Sequence, residues 1–313
     1  MVAGTSLDVH DVGAIRALIA KHRRWDVAFG VVGVIALMIG VLTFVALFVD
    51  MAIQGLPRLS PDFFTSFPSR KAAQAGILSA WVGSTLVMLV TAFFAVPLGV
   101  AAGIYLEEYA RKNWVTDIIE INITNLAGVP SIVYGLLALG LFVYQFGFGQ
   151  SILSAGLTLA LLILPVVIVA TREAIRSIPQ AIREGSYALG ATQWQTVRSH
   201  IIPYSSAGIL TGVIIGMARA IGETAPVITI GALTFIAFLP PSPISSTPPF
   251  VNFEWLMSPF TVMPIQMFNW TSRPEAAFQQ NAAAAGLVLV VMTLAMNGLA
   301  IWLRYRLRKN IKW

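Results

Sequence analysis

Six stretches of the chain are almost wholly apolar, at about 27–49, 77–106, 118–146, 152–170, 207–239 and 282–303. Each is long enough to cross a hydrocarbon layer, which takes roughly 20 helical residues, and polar or proline-bearing segments separate them. The pattern predicts an all-α membrane protein of six transmembrane helices, a first span followed by a five-span core over 77–303. Ahead of the first span, Val12, Ile15 and Ile19 make a short apolar stripe, with Asp8 and Asp11 early and Lys21, Arg23 and Arg24 late, as a helix dipole prefers. An interfacial helix is expected within 1–26. The first span is too long for the apolar part of a signal peptide and no small-x-small cleavage site follows it, so an uncleaved anchor is expected.

Between the fourth and fifth spans, over 171–206, the pattern changes. Ser177-Ile-Pro-Gln180 and Thr192-Gln-Trp-Gln195 both fit the S/T-x-x-E/Q capping pattern, in which hydroxyl and amide side chains satisfy donors that a helix start leaves free. Two short helices are expected between Ser177 and Ile202. On the first, Ile178, Ile182, Gly185 and Leu189 share a face, and Gly190 suits the left-handed residue that ends a helix. Such a helix, turn and helix can dock in a groove on a partner as a rigid lever.

The fifth stretch carries the chemistry. From Ser205 to Leu239 its only charges are Arg219 and Glu223, four apart and so adjacent on a helix surface. Gly208, Gly212 and Gly216 precede them at the spacing that lets helices approach closely in lipid. At 100° per residue Gly212, Gly216, Arg219, Glu223 and Pro226 fall within one arc, so the charges are expected on the packed side, as a buried ion pair. Arg219 would sit about 18 Å from the start of the span, near the middle of the layer. Pro226 should loosen the backbone just beyond. An arginine at that depth costs about 2.5–3.5 kcal/mol on insertion scales, and intramembrane charges usually mark pathways. A self-contained pair that merely holds two helices together is the plainer alternative.

In the second span, Pro97 and Gly99-x-x-x-Gly103 read as a kink and a packing face. In the third, Asn122, Thr124, Asn125, Ser131 and Tyr134 surround Gly128-Val-Pro-Ser-Ile-Val-Tyr-Gly135. Polar side chains and a proline in mid-membrane are tolerated where backbone lines a cavity or packs on protein, and as a cluster they suggest the wall of a pathway. The segment 240–280 is rich in proline and aromatics, among them Phe250, Phe253, Trp255, Phe260, Phe268 and Trp270. These are expected at the membrane interface, with a docking surface for an outside partner as the alternative. Asn269-Trp-Thr271 fits a glycosylation acceptor, a pattern that is common by chance.

Composition agrees with a membrane domain: 57% of residues are hydrophobic and 11% charged, and the mean hydropathy is +0.78. Without cysteine there is neither a disulfide framework nor a thiolate metal site, and His10, His22 and His200 lack ligand spacing. The net charge of +6 does not point to nucleic acid, because of its placement. With the N-terminus inside, fifteen of the 20 Lys and Arg fall on inner segments, the last group being the tail at 304–313. Both termini and the 171–206 loop are then expected in the cytoplasm. None of the five lysines follows a glycine, so there is no phosphate cradle, and no nucleophile elbow or HExxH is found. The chain is read as a transport subunit, not an enzyme, with no cofactor of its own; if transport is driven, the nucleotide binds elsewhere.

Glu184-Gly-Ser-x-x-x-Gly190, followed after twelve residues by Pro203, resembles the EAA loop of ABC-importer permeases, with Gly185 in place of the usual alanine. Within that superfamily, Gly128-Val-Pro-Ser-Ile-Val-Tyr-Gly135, Ala218-Arg-Ala-Ile-Gly-Glu-Thr-Ala-Pro226 and Met263-Pro-Ile-Gln-Met-Phe-Asn-Trp-Thr-Ser-Arg-Pro274 are similar to the PstA family of phosphate permeases. The likeness covers roughly 77–309. It implies a type I importer (MetI-like) fold in a bacterial-type plasma membrane, a homologous PstC-like permease, a PstB-like ATPase dimer that binds ATP and Mg, and an external PstS-like phosphate-binding protein. It also implies a phosphate path at Arg219 and Glu223, with Thr224, Ser131, Tyr134 and Asn125 nearby. ATPase coupling would fall to Glu184, Gly185, Ser186, Leu189, Gly190 and Ala191. A permease for sulfate or molybdate, an ion-coupled secondary transporter using the pair as a proton relay, and a non-transporting scaffold remain alternatives.

Overall fold

The computed structural model describes residues 12–244, 250 and 252–308, and the chain divides after Ile53 into two units. The first unit is made of helix α1 (Val12–Gly55), unbroken over 44 residues. Its stretch from Val27 to Val49 is apolar and exposed on every side, the character of a helix whose solvent is lipid. Val12, Ile15 and Ile19 lie in the first turns of this same helix, and Asp8 and Asp11 lie outside the described residues.

The second unit begins with α2 (Pro61–Thr65) and α3 (Leu78–Ile104), which runs on into a wide π-turn at Tyr105–Tyr109. Helix α4 (Trp114–Leu126) follows, then α5 (Ser131–Ala138), continued by a second π segment at Leu139–Gln145. Next come α6 (Ile152–Arg176), α7 (Gln180–Ala188) and α8 (Gln193–Thr196), and then α9 (Ile202–Gly222) and α10 (Ala225–Ile230). The unit closes with α11 (Met263–Thr271) and α12 (Ala276–Arg308). Polar caps start several of these: the Asn113 side chain accepts from the Thr116 amide at 3.0 Å, and Ser151 does the same for Ser154 at 3.3 Å.

Helix α6 is the axis of the second unit, with α3 on one flank and α9 on the other. Small residues make both contacts. A Cβ on Gly99 would lie 2.7 Å from Val167 Cγ1 and one on Gly103 2.6 Å from Thr171 Cβ, so the 99–103 glycine pair is the α3–α6 packing face. On the other flank Gly208 meets Ala174 and Gly212 meets Ala170, the same small-residue packing that brings membrane helices together. Helix α12 covers α9 and α11.

Among the described residues, five helices are long and apolar enough to cross a membrane, and a sixth span exists if α4 and the α5 segment count as one, although they meet at 105°. Two expectations are corrected. The third apolar stretch is sharply bent at Ala127–Pro130, where the missing proline amide and the turn residues end α4. The fifth is not one helix over 207–239: α9 stops at Gly222, α10 is a separate short helix, and a left-handed Gly231 (φ 101°) turns the chain out of it. The aromatics of 240–280 also divide. Phe250, Phe253 and Phe268 are exposed, whereas Trp255, Phe260 and Trp270 are core residues, Trp270 packing against Phe63 at 6.0 Å between ring centres. Asn269 of the acceptor pattern lies within α11, its amide oxygen accepting from Arg273.

Candidate functional site

Pro226 dictates where the fifth span breaks. It has no amide to offer Gly222, and its ring would collide with that carbonyl in a continuous helix. The helix accordingly ends at Gly222, Glu223 is extended (φ −74°, ψ 127°), and α10 restarts at Ala225 with proline in its first turn. The break thus falls just beyond Arg219, as expected from Pro226.

Arg219 stands one turn before the break, and its Nε donates to Glu223 Oε1 at 3.2 Å. The two side chains differ in surroundings. Glu223 reaches inward against Ser84, Val87, Met88, Leu159 and Val262, with its side chain 18% exposed, whereas the Arg219 side chain is 39% exposed. The expectation of a buried pair is therefore corrected: the glycine stripe faces α6, but one more turn and the break carry the guanidinium round to an open face. A guanidinium bound to a carboxylate through its Nε and partly exposed retains donors for a second acceptor.

The bent third span supplies the neighbouring wall. The Tyr134 hydroxyl donates at 2.9 Å to the Leu126 carbonyl, which also accepts from the Val129 amide at 3.1 Å, and so pins the bend. One residue on, Gly135 lies so close to α10 that a Cβ there would come 2.7 Å from Pro226 Cα and collide with the Thr229 hydroxyl. The two breaks are thereby packed together through α5 and α10. Ser131 opens α5, half-buried, and Thr224 occupies the cap position of α10. Asn125 lines a different cavity, of about 340 Å3, with Glu120, Thr124, Arg172 and Arg176. Asn122 and Thr124 donate back to carbonyls of their own helix.

At the loop between α6 and α9, the second expected cap is present in full: Thr192 and Gln195 exchange side-chain and backbone hydrogen bonds. The first is not. Ser177 closes α6, its hydroxyl donating to Ala174 at 2.8 Å, and α7 starts at Gln180 after Pro179, because the link is too short for a separate capping residue. Gly190 is left-handed (φ 83°), and the Ala191 and Gly190 amides donate to Ser186 and Tyr187, the Schellman ending of a helix. Ser186 is buried and shares a 2.9 Å hydrogen bond with Thr196, locking α7 to α8. The expected common face is corrected: Ile178 is buried and Ile182 half-buried, but Gly185 is open and Leu189 is 91% exposed. Glu184 is exposed, and so are the large apolar side chains Tyr187, Leu189 and Trp194 of the same motif.

The best-buried charges are ones the sequence reading did not single out. Glu108, its side chain 5% exposed, accepts from Arg183 at 2.7 Å. Arg172, its side chain 9% exposed, lies 3.4 Å from Glu107 and also pairs with Glu120. Partners 52–75 residues apart leave no periodic trace in a sequence, so only the fold brings them together.

Comparison with known proteins places this arrangement. Residues 95–313 match the model of the binding-protein-dependent transport system inner membrane component. A probable ABC transporter permease protein of Bacillus subtilis strain 168, YqgI, is 34% identical over 91% of this chain and 96% of its own length. The phosphate transport system permease protein PstA of Xylella fastidiosa strain Temecula1 is 30% identical over 91% of this chain and 94% of its own. In fold, the chain is similar to a bacterial ABC transporter involved in the import of the acidic polysaccharide alginate, with TM-score 0.60 at 12% identity over 93% of this chain and 99% of that one.

Proposed function

Because this chain belongs to the family of binding-protein-dependent transport system inner membrane components, we propose that it is the permease subunit of an ATP-driven importer of inorganic phosphate. Permeases of this family are integral membrane proteins that work with a separate ATPase and a substrate-binding protein. The finer reading is a PstA-like subunit in a bacterial plasma membrane, with a PstC-like permease, two PstB-like ATPase chains and an external PstS-like binding protein. It is supported by the PstA relative and by the three segments that resemble that family. Both termini and the α7–α8 motif lie in the cytoplasm on this reading, following the basic residues.

The observation that carries it is the half-open Arg219 beside Glu223 at the broken fifth span. With the path empty, the carboxylate neutralises the guanidinium. An arriving phosphate takes its place and accepts two parallel hydrogen bonds from the same fork, a geometry that arginine offers and lysine does not. Tyr134, Ser131 and Thr224 are read as polar wall, while Asn125 lines the separate cavity beside Glu120 and Arg172. The anion then moves on when the motor changes the packing of the half-helices, and Glu223 recovers its partner. At the other functional end, the exposed Leu189, Tyr187 and Trp194 with Glu184 and the open Gly185 are the surface offered to the ATPase, on a motif held by Ser186, Gly190 and Ala191.

The test is uptake by a strain lacking this gene and complemented with it, in limiting phosphate, sulfate or molybdate. Restored phosphate uptake, with an ATPase and a sister permease co-purifying with the chain, is the expected result. Restoration of sulfate or molybdate uptake alone assigns another oxyanion, and transport by the purified chain by itself in liposomes would favour the secondary-transporter alternative.

A further inference from the structure

We infer that the buried ion pairs at the α3–α4–α6–α7 corner are positioning residues that transmit movement of the α7–α8 motif to the broken spans, an inference that rests on the proposed transport reading. The linkage can be followed atom by atom. On α7, the Arg183 guanidinium donates to the carbonyls of Ile175 and Ile178 at 3.2 and 3.0 Å, fixing it to the α6–α7 corner, and grips Glu108 at 2.7 and 3.0 Å. From α8, the Gln193 side chain donates to the Glu108 carbonyl. Both motif helices therefore hold one residue of the π-turn that ends α3. Wide turns of this kind recur as single insertions at functional sites, where the backbone is easily re-registered.

Glu107, the preceding residue of that turn, accepts from Arg176 at 3.0 and 3.2 Å and lies 3.4 Å from Arg172. Arg172 in turn reaches Glu120, midway along α4. Helix α4 ends at Leu126, whose carbonyl is held by Tyr134 of α5, and α5 is seated on α10 through Gly135 and Pro226, three residues from Glu223. The chain of contacts thus begins on the exposed motif and finishes beside the Arg219 pair.

Burial stiffens the Arg183–Glu108 and Arg172–Glu107 pairs, and Arg172 carries that hold to the half-buried Glu120. Separating two partly dehydrated charges leaves each without compensation, so neighbouring helices joined by such a pair move together or exchange partners whole. Arg172 sits between two carboxylates, Glu107 and Glu120, and is the natural point of exchange. Its Nε is buried and lacks a well-aligned acceptor, although Glu107 is within ion-pair distance.

The experiment uses the complete transporter, with its sister permease, ATPase and binding protein, in proteoliposomes, and measures phosphate moved per ATP hydrolysed. Glu120→Gln is the informative variant, because Glu120 is ion-paired with Arg172 and lies outside the motif. The complex is expected to keep its ATPase and to hydrolyse ATP within about twofold of wild type, while phosphate moved per ATP falls about tenfold. Glu108→Gln should uncouple to the same extent, and the double variant should be no worse than either single one, as befits links of one chain. A wild-type ratio in Glu120→Gln, or losses that multiply in the double variant, would overturn the inference. If Glu120→Gln does not assemble, Glu120→Asp keeps the charge but withdraws it by one methylene. It should lower the ratio about threefold in an assembled complex, and an unaltered ratio there overturns the inference too. A wild-type complex whose ATP hydrolysis does not respond to phosphate-loaded binding protein would instead overturn the phosphate reading, and the inference with it. That outcome is distinct from a responsive wild type with an unaffected Glu120→Gln.

Discussion

Gly135 and Pro226 stand so near each other that a Cβ at position 135 would lie 2.7 Å from the Pro226 Cα. Two interrupted spans meet at this contact, and each interruption has a proline beside it: Pro130 before α5 and Pro226 in the first turn of α10. The contact joins the wall that holds Tyr134 to the short helix that follows Glu223.

Replacing Gly135 by alanine should therefore push α5 off α10, since behind the Thr229 hydroxyl, which could turn aside, stands the Pro226 backbone, which cannot. Overpacking of this kind costs about 1–3 kcal/mol. The inserted chain is expected to lose thermal stability by that amount in purified complexes, and uptake should fall with it. Unchanged stability and full uptake would show that the half-helices have slack between them.

Gly190 holds φ at 83°, where a β-branched side chain is strained by about 1–2 kcal/mol, and it carries the Schellman ending of α7. Gly190→Val should leave the spans inserted but displace Leu189 and the α8 cap, so that the ATPase no longer co-purifies with the permease. Full retention of the ATPase by this variant would move the docking surface away from the motif.

Thr192→Ala removes one half of the reciprocal cap at the start of α8, worth about 1 kcal/mol. Amide exchange of Gln195 and Thr196 should accelerate about fivefold, the factor that this energy implies, with little change in the core helices. Equal exchange rates would mean that the Ser186–Thr196 hydrogen bond alone holds α8 in place.

What was legible in the sequence follows from the range of the interactions. Apolar runs marked the spans because burial in lipid acts on every residue of a run, and Thr192, Gln195 and Gly190 were readable because caps and left-handed turns are settled within a few residues. The Arg219–Glu223 contact was likewise local, at four residues. The break at Gly222, just beyond Arg219, was legible from Pro226, since the carbonyl that the ring displaces lies four residues before the proline. Ser177 was misread because a serine at the end of one helix and the start of the next has the same neighbours in sequence. Trp255, Phe260 and Trp270 could not be told from interfacial aromatics, because composition does not say which side of a loop packs inward. Glu107, Glu108 and Glu120 were invisible, their arginines lying in other helices.

The central claim is that the Arg219 guanidinium receives the passing anion. Its most direct test is phosphate uptake by Arg219→Gln in the complete reconstituted transporter. Loss of two charge-assisted hydrogen bonds, at about 1.5 kcal/mol each, predicts a fall of about a hundredfold, with assembly and ATPase binding unchanged. Arg219→Lys, which keeps the charge without the fork, should fall between the two. Uptake by Arg219→Gln at the wild-type rate would contradict the account and leave Arg219 and Glu223 as a pair that only holds the end of α9.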